Sequence, residues 1–171
     1  MVAGAAAGDE VAFARMVAAH HDDMARVAFV VCGDVDMAQE AVQSAWPKIW
    51  AKLGSLRDPE RIRPWLVSVA VNEARQLARS RGRRRVREIP MDDAMQRAAP
   101  DPGDRAADLD LARALATLSD QDRSIVAMRY AAGLTSDEIG RAIGMTGGGV
   151  RARLARLLDR LRKELLDDEP A

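Results

Sequence analysis

Apolar residues recur at steps of three and four along most of this chain, and the longest break in that pattern is the Pro-, Asp- and Ala-rich stretch from Glu88 to Asp110. Such spacing commits a chain to amphipathic helices, and no alternating run reads as a strand. Aromatic residues make up only 4% of the sequence while Ala, Leu, Arg and Val dominate, which favours helix on propensity as well. With 171 residues available, the break at Glu88 to Asp110 predicts two small helical units rather than one core.

Phe13, Met16, Val17, Met24, Val27, Ala28 and Val31 predict a first long helix that stops at Gly33. Asp36, with Gln39 three residues on, reads as the N-cap of a second, whose stripe Ala38, Val42, Ala45, Ile49 and Leu53 carries it to about Lys52. Pro47 inside this helix predicts a kink or an early end. Gly54 to Pro64 reads as a loop. The third helix then turns Trp65, Leu66, Val69, Ala70, Ala74 and Leu77 inward and Ser68, Asn72, Arg75 and Arg79 outward, and runs on into Arg81, Arg83, Arg84, Arg85 and Arg87.

Beyond the break, Leu109, Leu111, Ala112, Leu115 and Leu118 suggest a short helix, and Ser119 with Asp122 opens another that stops at Gly133. Thr135 and Glu138 form a capping box ahead of Ile139, Ala142 and Ile143, and Gly144 ends that helix. Thr146 caps a last helix with Val150, Leu154, Leu157, Leu158, Leu161 and Leu165 on one face and Arg153, Arg156, Arg160 and Lys163 on the other. A short helix, a tight turn and a longer basic helix is the helix-turn-helix pattern, whose second helix can enter a major groove. The alternative is an ordinary helical hairpin with a solvated Arg face, although that face lacks the Glu partners which usually lace one.

The formal net charge is zero, yet it is assembled from blocks of alternating sign: −4 over residues 1–50, +7 over 51–90, −5 over 91–122, +6 over 123–163 and −4 over 164–171. Exposed charges act over about 8–10 Å, so two separate basic surfaces survive the neutral total. They read as two polyanion-binding sites joined by an acidic connector. The run Arg81 to Arg87 would also fit a solvated tail, but it continues a helix that already shows Asn72, Arg75 and Arg79 outward. Trp46, Trp50 and Trp65 lie beside this strip in sequence, where aromatics can stack unpaired bases; Trp65 fits core packing better because it starts an apolar stripe.

Other classes find little support. A single Cys32 excludes an internal disulfide and reads as a small buried residue, while the adjacent His20 and His21 lack metal-ligand spacing and read as solvated. No metal site and no cofactor are expected. MVAGAAAGDE has no basic n-region and is too short for a membrane span, which points to a cytoplasmic chain without membrane insertion. Gly147 to Gly149 opens a helix but lacks the strand and Lys of a phosphate loop, and no set of side chains has a physical reason to converge as a catalytic centre. An enzyme is therefore not expected.

With these pieces in order, the chain resembles the extracytoplasmic-function (ECF) group of bacterial RNA polymerase sigma factors, of the sigma-70 family, from about Asp9 to Leu166. The likeness to region 2 rests on GDVDMAQEAVQSAWPKIW (33–50) and RPWLVSVAVNEARQLARSRGRRR (63–85), and that to region 4 on LSDQDRSIVAMRYAAGLTSDEIGRAIGMTGGGVRARLARLLDRLRKEL (118–165). The resemblance implies an all-α protein of two small helical domains, 1–87 and 109–166, joined by an acidic flexible linker, 88–108, with an acidic tail at 167–171. It implies a non-enzymatic subunit that binds core polymerase and directs promoter-specific initiation.

By the same resemblance, Gln39, Glu40 and Gln43 contact the polymerase clamp. Arg57, Arg61, Arg63, Asn72, Arg75 and Arg79 recognise and open the −10 element. Arg151, Arg153 and Arg156 meet the −35 duplex. The partners it implies are the clamp and flap regions of core polymerase, promoter DNA and a cognate anti-sigma factor.

Three departures qualify the likeness: Met37 where an acidic residue is usual, Gln76 where Asp is usual, and Pro47 within the clamp-binding helix. Gly147, Gly148 and Gly149 also occupy the first turn of the recognition helix, where a base-reading side chain is expected. They imply binding mainly through phosphates, Arg153 included. A stand-alone duplex-binding regulator that no longer engages polymerase is the other reading, for which Pro47 and Met37 argue. A module that sequesters a transcription partner without DNA would leave both basic surfaces unexplained.

Overall fold

The computed structural model describes residues 1–56, 58–87 and 113–167, with side chains described through Arg81 and from Arg113 to Lys163. The described residues are helical throughout their regular structure. A short α1 (Val2–Ala6) precedes α2 (Glu10–Cys32), whose N-cap Asp9 accepts from the amides of Val11 and Ala12 at 2.9 and 3.0 Å. Gly33 ends α2 in the left-handed region at φ 69°, where a side chain would be strained.

Helix α3 (Val35–Lys52) is capped by Asp34, which accepts from the Met37 amide at 2.7 Å, so the cap is Asp34 and not Asp36. Pro47 does not end α3 early. The residues around it are anchored, with Ala45, Trp46 and Ile49 buried, and this packing holds the helix through the missing amide. A 3₁₀ turn (Leu53–Ser55) follows, then a second (Pro59–Arg61) capped by Asp58, and α4 (Ile62–Arg87) begins three residues before Trp65. Pro64 falls in its first turn, where the amide would lack a helical partner anyway.

The three long helices pack on one another. Met16, Met24, Val27 and Val31 of α2 meet Val42, Ala45 and Ile49 of α3 and Leu66, Val67, Ala70, Val71 and Ala74 of α4. Each larger side chain withdrawn from water here contributes about 1.5–3 kcal/mol. Trp65, Val69 and Leu77, read from the sequence as the inner face, are half-buried, and the centre of that face lies one step round, at Val67 and Val71.

In the C-terminal half, residues 113–117 form α5, and Ser119 caps α6 (Asp120–Val126), which widens into a π-helical turn (Ala127–Ala131) closed by Gly133 at φ 65°. Helix α7 (Ser136–Ile143) and α8 (Gly147–Asp167) complete the chain. Ala114, Leu118, Val126, Leu157 and Leu161 make a small core of their own. Ile125, Met128, Leu134, Ile139, Val150 and Leu154 instead join the core of the first three helices. The two helical units expected from the sequence are both present, and they meet along a shared hydrophobic cluster. Residues 88–112, which include the expected linker and the start of the second unit, and the tail 168–171 lie outside the described residues.

Candidate nucleic-acid interface

Gln39, Glu40 and Gln43 are exposed on one face of α3, as their spacing requires. Gln39 is held from behind. The Trp46 indole N–H donates to His21 Nδ1 at 3.3 Å, so the imidazole proton resides on Nε2, which donates to Gln39 Oε1 at 3.3 Å. His21 is therefore half-buried in a hydrogen-bonded chain rather than solvated, and His20 is half-buried beside it. Burial lowers the His20 pKa, with the Arg63 charge adding to the effect and Asp23 opposing it. Glu40 faces Arg81 at 3.8 Å, and Lys48 reaches across to the buried Glu73 of α4 at 2.6 Å.

On the α4 side, Arg57 lies outside the described residues. Arg61 pairs with Asp58 at 2.9 Å, and Arg63 donates from Nε and Nη2 to Asp23 Oδ2 of α2 at 3.2 and 3.1 Å. Burial raises the Asp23 pKa, but hydrogen bonds from Arg63 and Arg26 and their charges more than reverse this and leave it lowered. Asn72 is exposed. Arg75 is half-buried, its Nε enclosed without an acceptor among the described residues, and Arg79 donates to the Arg75 carbonyl at 3.3 Å and faces Asp120 of α6 at 4.0 Å. Exposed ion pairs of this kind are worth about 0–1 kcal/mol, so a phosphate can replace the carboxylate at small cost. Trp46 is buried, Trp65 half-buried, and Trp50 exposed with its ring 4.5 Å from that of Phe13. Of the three, Trp50 is the ring offered to solvent.

The helix-turn-helix forms as the capping signals require. Thr135 and Glu138 close the capping box, Gly144 ends α7 at φ 75°, and Thr146 Oγ1 accepts from the Gly149 amide at 3.1 Å. Hydrogen bonds from the backbone and hydroxyl of Thr135 lower the Glu138 pKa, against a smaller effect of burial. The turn is tight because Gly140 admits it: a Cβ there would stand 2.5 Å from the Met145 carbonyl oxygen.

Arg151 and Arg156 are exposed on α8. Arg153 is not brought together with them. It turns toward α6, where Nε donates to Asp122 Oδ1 at 2.6 Å and Nη1 to Gln121 Oε1 at 3.1 Å. Sequence reasoning placed Arg153 on the basic face and read Asp122 only as part of a cap. The available signal was periodicity, which puts residue 153 beside the apolar stripe of α8.

No local pattern in the sequence singles out Arg123. It donates to the carbonyls of Leu115, Ala116 and Leu118 at 3.0, 3.3 and 3.1 Å, and to that of Val31 at 3.1 Å. Cys32 is half-buried, its Sγ donating to the Ala28 carbonyl at 3.0 Å, and burial raises its pKa away from the reactive thiolate range. No described helix is long and apolar enough to cross a membrane, and no three His, Cys, Asp or Glu side chains cluster as metal ligands among the described residues.

Comparison with known proteins follows the same division. A family model described as Sigma-70 region 2 matches residues 16–84, and one described as Sigma-70, region 4 matches residues 114–163. The chain is 30% identical over 164 residues to the RNA polymerase sigma-E factor of Streptomyces coelicolor, covering 93% of this chain and 89% of the relative. It is 30% identical over 167 residues to the ECF RNA polymerase sigma factor SigL of Mycobacterium tuberculosis, covering 96% and 94%. The likeness to the probable RNA polymerase sigma factor RfaY of Xanthomonas campestris, also 30% identical, covers 95% of this chain but spans only 42% of that longer relative. Among solved structures, CnrH in complex with the cytosolic domain of CnrY superposes with a TM-score of 0.75 at 24% identity, covering 98% of this chain and 96% of that one. RpoE of Bartonella quintana, in complex with the anti-sigma factor NepR, gives 0.71 at 23% identity, covering 92% and 98%. At these identities the structural likeness is one of fold.

Proposed function

The chain belongs to the ECF group of RNA polymerase sigma factors, and from that premise we propose that it binds core polymerase through α3, engages and opens the −10 element along α4, and holds the −35 duplex with α8. It acts as a specificity subunit in the cytoplasm and performs no chemistry itself. The observation that carries this reading is the order of parts: a three-helix unit with an exposed polar face on α3 and arginines along α4, followed by a helix-turn-helix whose last helix exposes Arg151 and Arg156.

Gln39, Glu40 and Gln43 supply the clamp contacts, Arg57, Arg61, Arg63, Asn72, Arg75 and Arg79 the −10 contacts, and the flap of core receives the C-terminal unit. Units 1–87 and 109–166, with 88–108 between them and 167–171 as a tail, are the functional division. Gly148 and Gly149 offer no base-reading side chain, so α8 engages the −35 duplex chiefly through phosphates, with weak sequence preference. Both solved relatives are bound to a partner protein, one of them an anti-sigma factor, and a regulator of that kind is proposed for this chain too. The two arguments for a stand-alone regulator lose force, because α3 continues through Pro47 and Met37 is buried at 6% exposure, where an acidic side chain would be costly.

Run-off transcription with purified bacterial core, with and without this protein, on sheared DNA of its host tests the reading. Discrete transcripts are expected only when the protein is added, and they should vanish when Glu40 and Gln43 are changed to Ala. Absence of such transcripts, with no co-migration with core on a sizing column, would overturn it.

A further inference from the structure

Arg153, Arg156, Arg160 and Lys163 of α8 read as one basic face in sequence, and Arg151, Arg153 and Arg156 as its duplex-contacting positions, but the surroundings of these three in the fold differ. At 3.6 residues per turn, position 153 falls about 70° from the centre of the buried stripe Val150, Leu154, Leu157 and Leu161, whereas Arg151 and Arg156 fall about 90° and 130° away. The Arg153 side chain is only 28% exposed, against 65% for Arg151, and its partner Asp122 is 13% exposed. Asp122 is itself fixed, because the Ser119 hydroxyl donates to its Oδ2 at 2.7 Å and the Asp122 amide donates back to Ser119 Oγ at 3.1 Å. The carboxylate thus stands at the rigid start of α6, with one oxygen bound to its own cap and the other to α8.

We propose that Arg153 is a positioning residue: by bridging to Asp122 and Gln121 it sets the rotation of α8 against α6, so that Arg151 and Arg156 are aimed at the duplex. It does not meet a phosphate itself. This inference rests on the reading of α8 as the duplex-binding helix. Its physical basis is the planar guanidinium, which spans two acceptors on α6 at once where an ammonium on a flexible stem holds one. Burial raises the Asp122 pKa, but hydrogen bonds from Arg153 and Ser119 overcome it and keep the carboxylate ionised at neutral pH. The glycines make such orientation matter. Gly147, Gly148 and Gly149 contribute no anchoring side chain at the start of α8, and Gly147 lies against Asp137 so closely that a Cβ there would overlap its carboxylate. Beyond the buried stripe itself, α8 is tied by an exposed Arg151–Asp137 pair at 3.8 Å and by the shorter, less exposed bridge of Arg153 to Asp122 at 2.6 Å, and it is the second that can hold its rotation firmly.

A phosphate contact and a positioning role give opposite signs for Asp122→Asn. Removing a negative charge near DNA tightens binding by long-range electrostatics, whereas removing the anchor of α8 weakens it. The full chain assembled with core polymerase is titrated, over a range of salt, with a labelled duplex spanning the upstream element of a promoter that the same holoenzyme selects from host DNA.

Asp122→Asn, Arg153→Lys and Arg153→Ala are each expected to weaken binding about tenfold. The Asp122→Asn/Arg153→Ala double variant should lose no more than either single one, Asp122→Glu should recover part of the loss, and the salt slope should stay unchanged. Equal or tighter binding by Asp122→Asn would overturn the proposal, as would full affinity in Arg153→Lys or a slope reduced by about one in Arg153→Ala. Should Asp122→Asn melt below the assay temperature, Gln121→Ala with Arg153→Lys carries the same comparison. Failure of the unaltered holoenzyme to bind any upstream duplex would remove the duplex-binding reading itself, whereas normal binding insensitive to Asp122→Asn removes only the positioning role.

Discussion

Arg123 Nη1 donates to the main-chain carbonyl of Val31 at 3.1 Å, across 92 residues of sequence, while the same guanidinium gathers three carbonyls at the end of α5. One side chain therefore satisfies the C-terminal carbonyls of two helices, from opposite halves of the chain. Such groups are among those that a helix leaves unpaired at its end.

Arg123→Ala removes all four bonds and leaves partly buried carbonyls without a donor. A loss of about 1–3 kcal/mol is expected, read as a lower urea midpoint at unchanged slope. Arg123→Lys should recover less than half of it, since an ammonium cannot span the same acceptors.

Lys48 and Glu73 form a pair with unequal exposure, the lysine half in solvent and the carboxylate only 9% exposed. Lys48→Met strands a buried carboxylate, and a cost of about 1–2 kcal/mol is expected after allowance for solvent on the lysine side. Glu73→Gln should cost less than that, and the two changes together less than their sum. A double-mutant cycle of urea midpoints checks this.

Glycines 140 and 148 lie eight residues apart, on adjacent helices of one motif, yet they should respond oppositely to alanine. At Gly140 the new methyl meets the Met145 carbonyl oxygen at 2.5 Å, so Gly140→Ala is expected to destabilise by about 2 kcal/mol or more. At Gly148 the nearest atom is 3.8 Å away, at the end of the Arg151 side chain, and Gly148→Ala should stabilise by about 0.5 kcal/mol. Thermal melts of the two variants give shifts of opposite sign.

Stability should fall on acidification in two stages. His20, Asp23, Asp122 and Glu138 all have lowered pKa values in the fold, so the unfolded chain binds more protons than the folded one and stability rises with pH over each titration. The His20 contribution is whole above the ordinary imidazole value of about 6.5 and is lost as pH falls through its lower folded value. Those of the carboxylates are whole above about 4 and are lost below it. Urea midpoints measured from pH 8 to pH 3 should show both stages, with His20→Gln flattening the upper and Asp23→Asn reducing the lower.

Much of the architecture was legible because it is local. Apolar steps of three and four gave α2, α3, α4, α7 and α8, and Gly33, Gly144 and the Thr135 to Glu138 box placed the end of α2 and both ends of α7 to within a residue. Where two local signals competed, the sequence could not choose. Asp34 and Asp36 are the same residue type, and the direction in which Gly33 releases the chain decides which one caps α3. The rule against proline inside a helix was overridden by Ala45, Trp46 and Ile49 packing around Pro47.

The candidate site was legible at the level of residue type and not of partner. Periodicity put arginines at 63 and 153 on basic faces, but Asp23 and Asp122 lie 40 and 31 residues away in sequence, beyond the reach of any local pattern. His21 was read as solvated for the same reason, since Trp46 is 25 residues distant.

The common core has a bearing on how this chain can change over evolutionary time. Ile125, Met128 and Ile139 belong to one hydrophobic cluster with residues of α2 and α4, so each half is shaped to the other. A C-terminal half acquired by recombination from a related gene would arrive with complementarity to a different surface, leaving apolar side chains wet on both sides of the seam. Exchange of promoter preference by swapping whole halves should therefore be rarer than drift within α8, whose outward residues at 148, 151, 152, 155 and 156 can vary without disturbing what lies beneath.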